Sequence, residues 1–232
     1  MQQKQADTRR STDSKTDASS KTLLVTVGST LFPSLTDIIL SAPILEVIAS
    51  SGTTKLAVQY GRADLPSASR FREGGGFEVD LDLTGKGAST FVTMGGPSES
   101  FNEDDRRRRE LKVEVFRFTD DFEGLIRSSD YVISHAGSGS ILTTLRTVNR
   151  TTGNPIPLLV VPNESLMDNH QAELADKMGE EGYLFVSRVE ELSRTLPVFL
   201  DDHSPERRSV KPFPQLNKTA FRDILDETMG YI

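Results

Sequence analysis

Short apolar runs alternate with helix-like stretches along most of this chain, and nearly every run is bounded by glycine or proline. Leu23-Leu24-Val25-Thr26-Val27 leads into Gly28, and the run over residues 55–60 into Gly61. Tyr131-Val132-Ile133-Ser134 leads through His135 to Gly137, residues 157–161 stop at Pro162, and Tyr183-Leu184-Phe185-Val186 follows Gly182. These runs are apolar throughout rather than alternating with polar residues, which is the pattern of strands buried on both faces. Helical spacing is read over residues 36–50, 121–128, 138–148, 168–181 and 189–200, and a further strand over 113–118. Strand–helix repeats of this kind require a parallel sheet covered on both faces. The predicted fold class is therefore α/β, a Rossmann-like doubly wound parallel sheet. In such sheets ligands bind beyond the carboxyl ends of the strands. Three polar loops fall there, over residues 28–30, 135–140 and 162–171.

The ends of the chain read differently. Residues 1–21 are almost all Gln, Lys, Ser, Thr, Asp and Arg, too polar to offset the entropy of ordering, and are expected to be a disordered tail. The folded domain is placed at residues 22–200. Residues 63–112 form a partly ordered insertion with one or two strands, and 201–232 a Pro-rich connector and a terminal helix near residues 218–229. Within the insertion, Asp80-Leu81-Asp82 resembles an acidic metal motif. The alternation of Phe77, Val79 and Leu81 reads instead as an amphipathic strand with its carboxylates outward. The Arg106-Arg107-Arg108-Arg109 run follows Glu103-Asp104-Asp105 and reads as a solvated loop.

Composition excludes several classes. A net charge of −7 argues against nucleic acid as the main partner. The absence of cysteine excludes disulfides, thiolate catalysis and Cys-ligated zinc. No apolar run approaches the roughly 18 residues needed to span a bilayer, and the opening residues lack a signal-peptide pattern. A cytosolic location is the expectation, and the three N-x-S/T sequons at Asn149, Asn163 and Asn217 are read as chance.

The motif richest in chemistry is Ser134-His135-Ala136-Gly137-Ser138-Gly139-Ser140, a strand, a glycine turn and the start of a helix. Glycines let backbone N–H groups approach a bound group, and a helix N-terminus favours an anion by ~0.3–2 kcal/mol. The turn is a candidate phosphate cradle with His135 at its lip, able to donate to a phosphate oxygen. Gly28-Ser29-Thr30 offers N–H groups and two hydroxyls to a diphosphate, or is an ordinary turn and cap. It lacks the G-x-G-x-x-G and Gly-Lys-Ser/Thr spacings of dinucleotide and P-loop sites. The loop Pro162-Asn163-Glu164-Ser165-Leu166-Met167-Asp168-Asn169-His170-Gln171 is dense in side chains that hydrogen-bond sugar hydroxyls. Its Asp168 and Gln171 also have the spacing of a helix capping box.

Taken together, the stretches over residues 132–142 and 163–171, the tail Lys211-Pro212-Phe213-Pro214, and the shorter runs Leu24–Thr30 and Gln59-Tyr60-Gly61-Arg62 resemble one family. It comprises the soluble catalytic subunits of two-chain UDP-N-acetylglucosamine transferases of dolichol-linked oligosaccharide synthesis, GT-B enzymes with a glycosyltransferase family 28 C-terminal domain. The resemblance covers residues 22–230, loosely so at 63–110. It implies the nucleotide-sugar-binding half of a GT-B enzyme split across two chains. The other half would be a membrane-anchored acceptor-side subunit that recruits this chain to the cytosolic face of the endoplasmic reticulum, with Phe221, Ile224 and Leu225 of the terminal helix as interface candidates.

The same resemblance implies the donor-binding residues. Gly28, Ser29 and Thr30 would lie by the diphosphate. His135, Gly137, Ser138, Gly139 and Ser140 would hold the phosphates. Asn163, Asn169, His170 and Gln171 would sit near the donor sugar. It implies inverting transfer of GlcNAc from UDP-GlcNAc to GlcNAc-diphosphodolichol with no metal or other cofactor, His135 being the one catalytic candidate in this chain. Thr143 departs from the family, standing where many relatives carry an acidic residue that grips the ribose. That departure favours a rival reading, a non-catalytic sugar-nucleotide-binding regulatory module. A transferase active without a partner is a third.

Overall fold

The computed structural model describes residues 20–64, 87–93, 110–164 and 170–214, with residues 87–93, 110 and 170 described as backbone. Among the described residues seven strands form one sheet: β1 (Lys21–Thr26), β2 (Thr53–Gln59), β3 (Gly87–Thr93), β4 (Glu110–Phe116), β5 (Tyr131–Ser134), β6 (Leu158–Val160) and β7 (Phe185–Val186). Their order is β3-β4-β2-β1-β5-β6-β7. Leaving out β3, the six parallel strands lie in the order third, second, first, fourth, fifth, sixth, that of dinucleotide-binding sheets. The doubly wound expectation is met, with one difference. β3 runs antiparallel to β4, with Gly87 opposite Phe116 and Thr93 opposite Glu110. An antiparallel edge strand needs no crossover helix, so an insertion between β2 and β4 can add one.

Side-chain alternation along each strand splits the apolar residues between two cores. Leu23, Val25, Val58, Val113 and Ile133 face helices α1 (Pro33–Ile39), α2 (Ala42–Ser50) and α6 (Leu192–Leu200). Leu24, Ala57, Val132, Val160 and Ala136 face α3 (Phe122–Arg127), α4 (Ser138–Arg146) and α5 (His170–Glu180). Ile44, Leu45 and Ile48 make the buried stripe of α2, each worth ~1.5–3 kcal/mol against exposure.

The single helix expected over residues 36–50 is two helices bent by 59°. Pro43 has no N–H to give the preceding turn, and its ring would clash with the carbonyl four residues back. Ser41 closes the first helix by donating to the Ile38 carbonyl at 2.6 Å. The helix expected over 189–200 opens instead as a 3₁₀ turn, Val189–Glu191. The Pro-rich connector contains a short helix α7 (Pro205–Arg208), started by Pro205 and capped by Ser204, which accepts from the Arg207 N–H at 3.1 Å. The tail before residue 20, the Asp80-Leu81-Asp82 strand, the arginine run, Asn217 and the terminal helix lie outside the described residues.

Candidate functional site

The order of the sheet reverses between β1 and β5, so the crevice beyond their carboxyl ends is where a ligand is expected. Two loops meet there. β1 ends at Thr26, and Gly28 turns the chain with φ +58°, a left-handed conformation costly to any residue with a Cβ. The Thr30 N–H donates to the Val27 carbonyl at 3.1 Å and closes the turn. β5 ends at Ser134, and Ala136 takes φ +69°, the one such non-glycine residue among the described ones. Single residues in this strained region gather at functional sites. Here the twist helps turn the chain from strand to helix across three residues, His135 to Gly137.

His135 is 5% exposed, so it stands inside the junction rather than at its lip. Its N–H donates to the Thr26 carbonyl at 3.2 Å, and its Nδ1 lies 3.4 Å from the same oxygen. The ring is wedged between two bare glycines. A Cβ on Gly28 would come 2.6 Å from His135 Cε1, and one on Gly137 would come 2.5 Å from Nε2. The two glycines read from the sequence as phosphate contacts are therefore also the seat of the histidine. Burial holds the imidazole below the ordinary histidine range, and the bond to Thr26 only partly opposes this. A carbonyl can only accept, so Nδ1 carries the proton and Nε2 of the neutral ring is an acceptor. In that tautomer Nε2 becomes a donor once the ring gains a second proton.

Gly137 is the N-cap of α4 and supplies no side-chain cap. Ser138 and Gly139 are exposed and Ser140 half-buried, so the first-turn N–H groups face outward at the positive end of the helix. The Gly28 N–H is occupied by Thr26 Oγ1 at 3.2 Å and the Thr30 N–H by Val27. That loop therefore presents chiefly the hydroxyls of Ser29 and Thr30.

The third loop reaches the same edge. Asn163 is buried, and its Nδ2 donates to the Leu31 carbonyl at 3.2 Å, so it ties the loop after β6 to the loop after β1. Gln171 lies in the first turn of α5, half-buried, with Oε1 buried and without a hydrogen-bond partner among the described residues. His170 opens α5, while Asn169 and Asp168 lie outside the described residues. Thr143 is half-buried on α4, the helix that follows the Gly137 turn. Among the described residues no group of three or more His, Asp or Glu side chains could hold a metal ion.

Two features escaped the sequence reading. A left-handed alanine between a histidine and a glycine has no sequence signature. Gln59, buried at the end of β2, had one: a polar residue closing an apolar strand beside the Gly28 loop.

Over residues 22–227 the chain matches the glycosyltransferase family 28 C-terminal domain. It is 47% identical over 214 residues to the UDP-N-acetylglucosamine transferase subunit ALG13 of Cryptococcus neoformans, covering 90% of this chain and 97% of that protein. The NMR solution structure of ALG13 is similar at 31% identity and a TM-score of 0.54, over 91% of this chain and 98% of that chain. The crystal structure of Acinetobacter baumannii MurG shares the fold at 12% identity and a TM-score of 0.53, over 91% of this chain and 50% of that one.

Proposed function

The chain belongs to the glycosyltransferase family 28 C-terminal domain family, and from that premise we propose that it is the catalytic, UDP-GlcNAc-binding subunit of a two-chain transferase. That enzyme adds the second GlcNAc to GlcNAc-diphosphodolichol in dolichol-linked oligosaccharide synthesis. The observation that carries the reading is the β1–β5 junction, where a buried histidine sits between Gly28 and Gly137 beneath a helix start without a side-chain cap.

The reaction is inverting. The acceptor hydroxyl attacks the anomeric carbon opposite the diphosphate. The bond from that carbon to the diphosphate oxygen breaks, and its electron pair leaves with UDP. Negative charge grows on the departing phosphate, where donors fixed beforehand act without reorganising. The first-turn N–H groups of α4 and the hydroxyls of Ser29 and Thr30 fill that role, and no metal or other cofactor is needed. Gln171, with its unpartnered Oε1, contributes to recognition of the donor sugar, and Asn163 ties the start of its loop to Leu31. Once protonated, His135 donates from Nε2 to the leaving diphosphate. The general base that takes the acceptor proton belongs to the partner, a membrane-anchored acceptor-side subunit that holds this chain at the cytosolic face of the endoplasmic reticulum.

The test is transfer of labelled GlcNAc from UDP-GlcNAc to a GlcNAc-diphospho-polyprenol acceptor, by this chain alone and with the membrane subunit. Turnover is expected only with the partner, unchanged by EDTA, and lost in a folded His135→Ala variant. The alternative, a non-catalytic sugar-nucleotide-binding module, draws on Thr143. It would be favoured by UDP-GlcNAc binding with turnover indifferent to His135.

A further inference from the structure

Gln59 ends β2 and is 5% exposed. A buried side-chain amide has to place two N–H groups and an oxygen without water, or cost the fold an unpaired polar group. Here all of them are placed. Thr26 Oγ1 donates to Gln59 Oε1. Gln59 Nε2 donates to the carbonyl of Gly28 at 3.0 Å and to that of Arg117 at 3.2 Å. Thr26 Oγ1 accepts from the Gly28 N–H at 3.2 Å. One side chain thus joins the loops that follow β1 and β4 from the end of the strand between them.

What this network grips most firmly is Gly28, held by its N–H through Thr26 and by its carbonyl through Gln59. That residue is also one wall of the histidine seat, since a Cβ on it would come 2.6 Å from His135 Cε1. Gly61 presses on the same loop from the turn after β2, where a Cβ would meet the Gly28 carbonyl at 2.7 Å and the Thr30 carbonyl at 2.9 Å. The register places Gln59, Thr26 and Ser134 in one row across β2, β1 and β5. The row crosses the point where the sheet order reverses, directly before both loops of the site.

We infer that Gln59 is the positioning residue of the diphosphate-binding edge, acting through Gly28 on the placement of His135 and of the hydroxyls of Ser29 and Thr30. This rests on the reading of that edge as the UDP-sugar site. Gln59 itself needs no contact with the nucleotide. Its role is to hold the loop in one geometry, so that binding energy goes into the diphosphate rather than into ordering the backbone.

The test uses the full chain and the variants Gln59→Met, similar in length but without the amide, and Thr26→Val, which removes the hydroxyl at similar volume. Affinities for UDP and for uridine are measured beside thermal unfolding. Gln59→Met should weaken UDP roughly tenfold or more, as loss of oriented hydrogen bonds would, and leave uridine affinity unchanged. Thr26→Val should do the same, and the double variant should lose less than the two losses together. Equal losses for UDP and uridine would mean a general role in folding and overturn the inference. So would UDP binding at wild-type strength. If Gln59→Met does not fold, the same comparison on Thr26→Val decides. Wild-type protein that binds neither UDP nor UDP-GlcNAc would overturn the donor-site reading itself, and the inference with it.

Discussion

A single imidazole shows how tightly this site is determined at the scale of the residue. His135 fits only because positions 28 and 137 lack a Cβ. Gly137→Ala would put a methyl group 2.5 Å from Nε2, and the ring is held too closely by Thr26 and Gly28 to step aside. The expected result is a loss of roughly 1–3 kcal/mol in stability from overpacking, with UDP binding abolished, read by thermal unfolding and calorimetry. Protonation gives a second prediction. The folded-state pKa of His135 lies below its ordinary value of 6.5, so protons favour the unfolded chain. Its contribution to stability is complete above that value and is lost as pH falls through the lower folded-state value. A His135→Gln variant should show a flatter stability profile over that window in denaturant titrations. If Nε2 donates to the diphosphate, UDP binding near pH 7.5 must take up a proton. Binding enthalpies that vary with the ionisation enthalpy of the buffer would register it.

Loops, more than helices, set the geometry at the scale of the element. The stretch after α4 is organised by Asn149, which is buried. Its Nδ2 donates to the Ser129 carbonyl at 2.9 Å and to Asp130 Oδ1 at 3.2 Å, and its Oδ1 accepts from the N–H groups of Thr151 and Thr152, both at 2.8 Å. Asn149→Ala would remove four hydrogen bonds at once, one of them buried at Ser129, and should cost roughly 2–4 kcal/mol, measured by chemical denaturation. The sequons at Asn149 and Asn163 were read as chance. In the folded chain the amide nitrogen a glycan would need is engaged in both, at Asn149 with Ser129 and at Asn163 with Leu31. Helix starts follow local chemistry in the same way. Asp121 caps α3 by accepting from the Gly124 N–H at 2.8 Å, and Pro33 and Pro43 each open a helix.

Across the whole molecule, the site lies at one end of the sheet and a latch at the other. Tyr131 is 2% exposed at the start of β5, and its hydroxyl donates to Asp202 Oδ1 at 2.9 Å. Lys21 at the start of β1 donates to the same hydroxyl at 3.1 Å and to Asp202 Oδ2 at 2.8 Å. The cluster ties the connector after α6 back to the amino ends of the central strands. Burial alone would raise the Asp202 carboxyl, but its bonds to Lys21 and Tyr131 outweigh that and hold it below its ordinary 3.8. Burial likewise opposes the charge on Lys21, and the bonds to Asp202 and Tyr131 carry it above 10.5. The latch therefore weakens as pH falls through the lowered value of Asp202 or rises through the raised value of Lys21. Tyr131→Phe should cost about 1 kcal/mol and speed hydrogen exchange over residues 201–208, while UDP affinity at the opposite end stays unchanged.

Local pattern alone was enough for the apolar strands, the fold class and the glycine turn between β5 and α4. The uninterrupted apolar runs left a parallel, doubly covered sheet as the arrangement able to bury them. The glycines at 28, 137 and 182 and the prolines at 33 and 43 act through the backbone of their own turn. Decisions that depend on distant partners belonged to the tertiary structure. That Gly28 and Gly137 enclose one histidine follows from β1 lying beside β5, more than a hundred residues apart in the chain. That Gln59 is a clamp rather than a surface amide follows from the registry of Gln59 with Thr26 and Phe116 on either side. The antiparallel β3 depended on which edge of the sheet was free, and the proton on Nδ1 of His135 on the carbonyl that burial left beside it. Periodicity and turn chemistry are carried by neighbours in sequence, whereas burial, registry and protonation depend on what the folded chain places alongside.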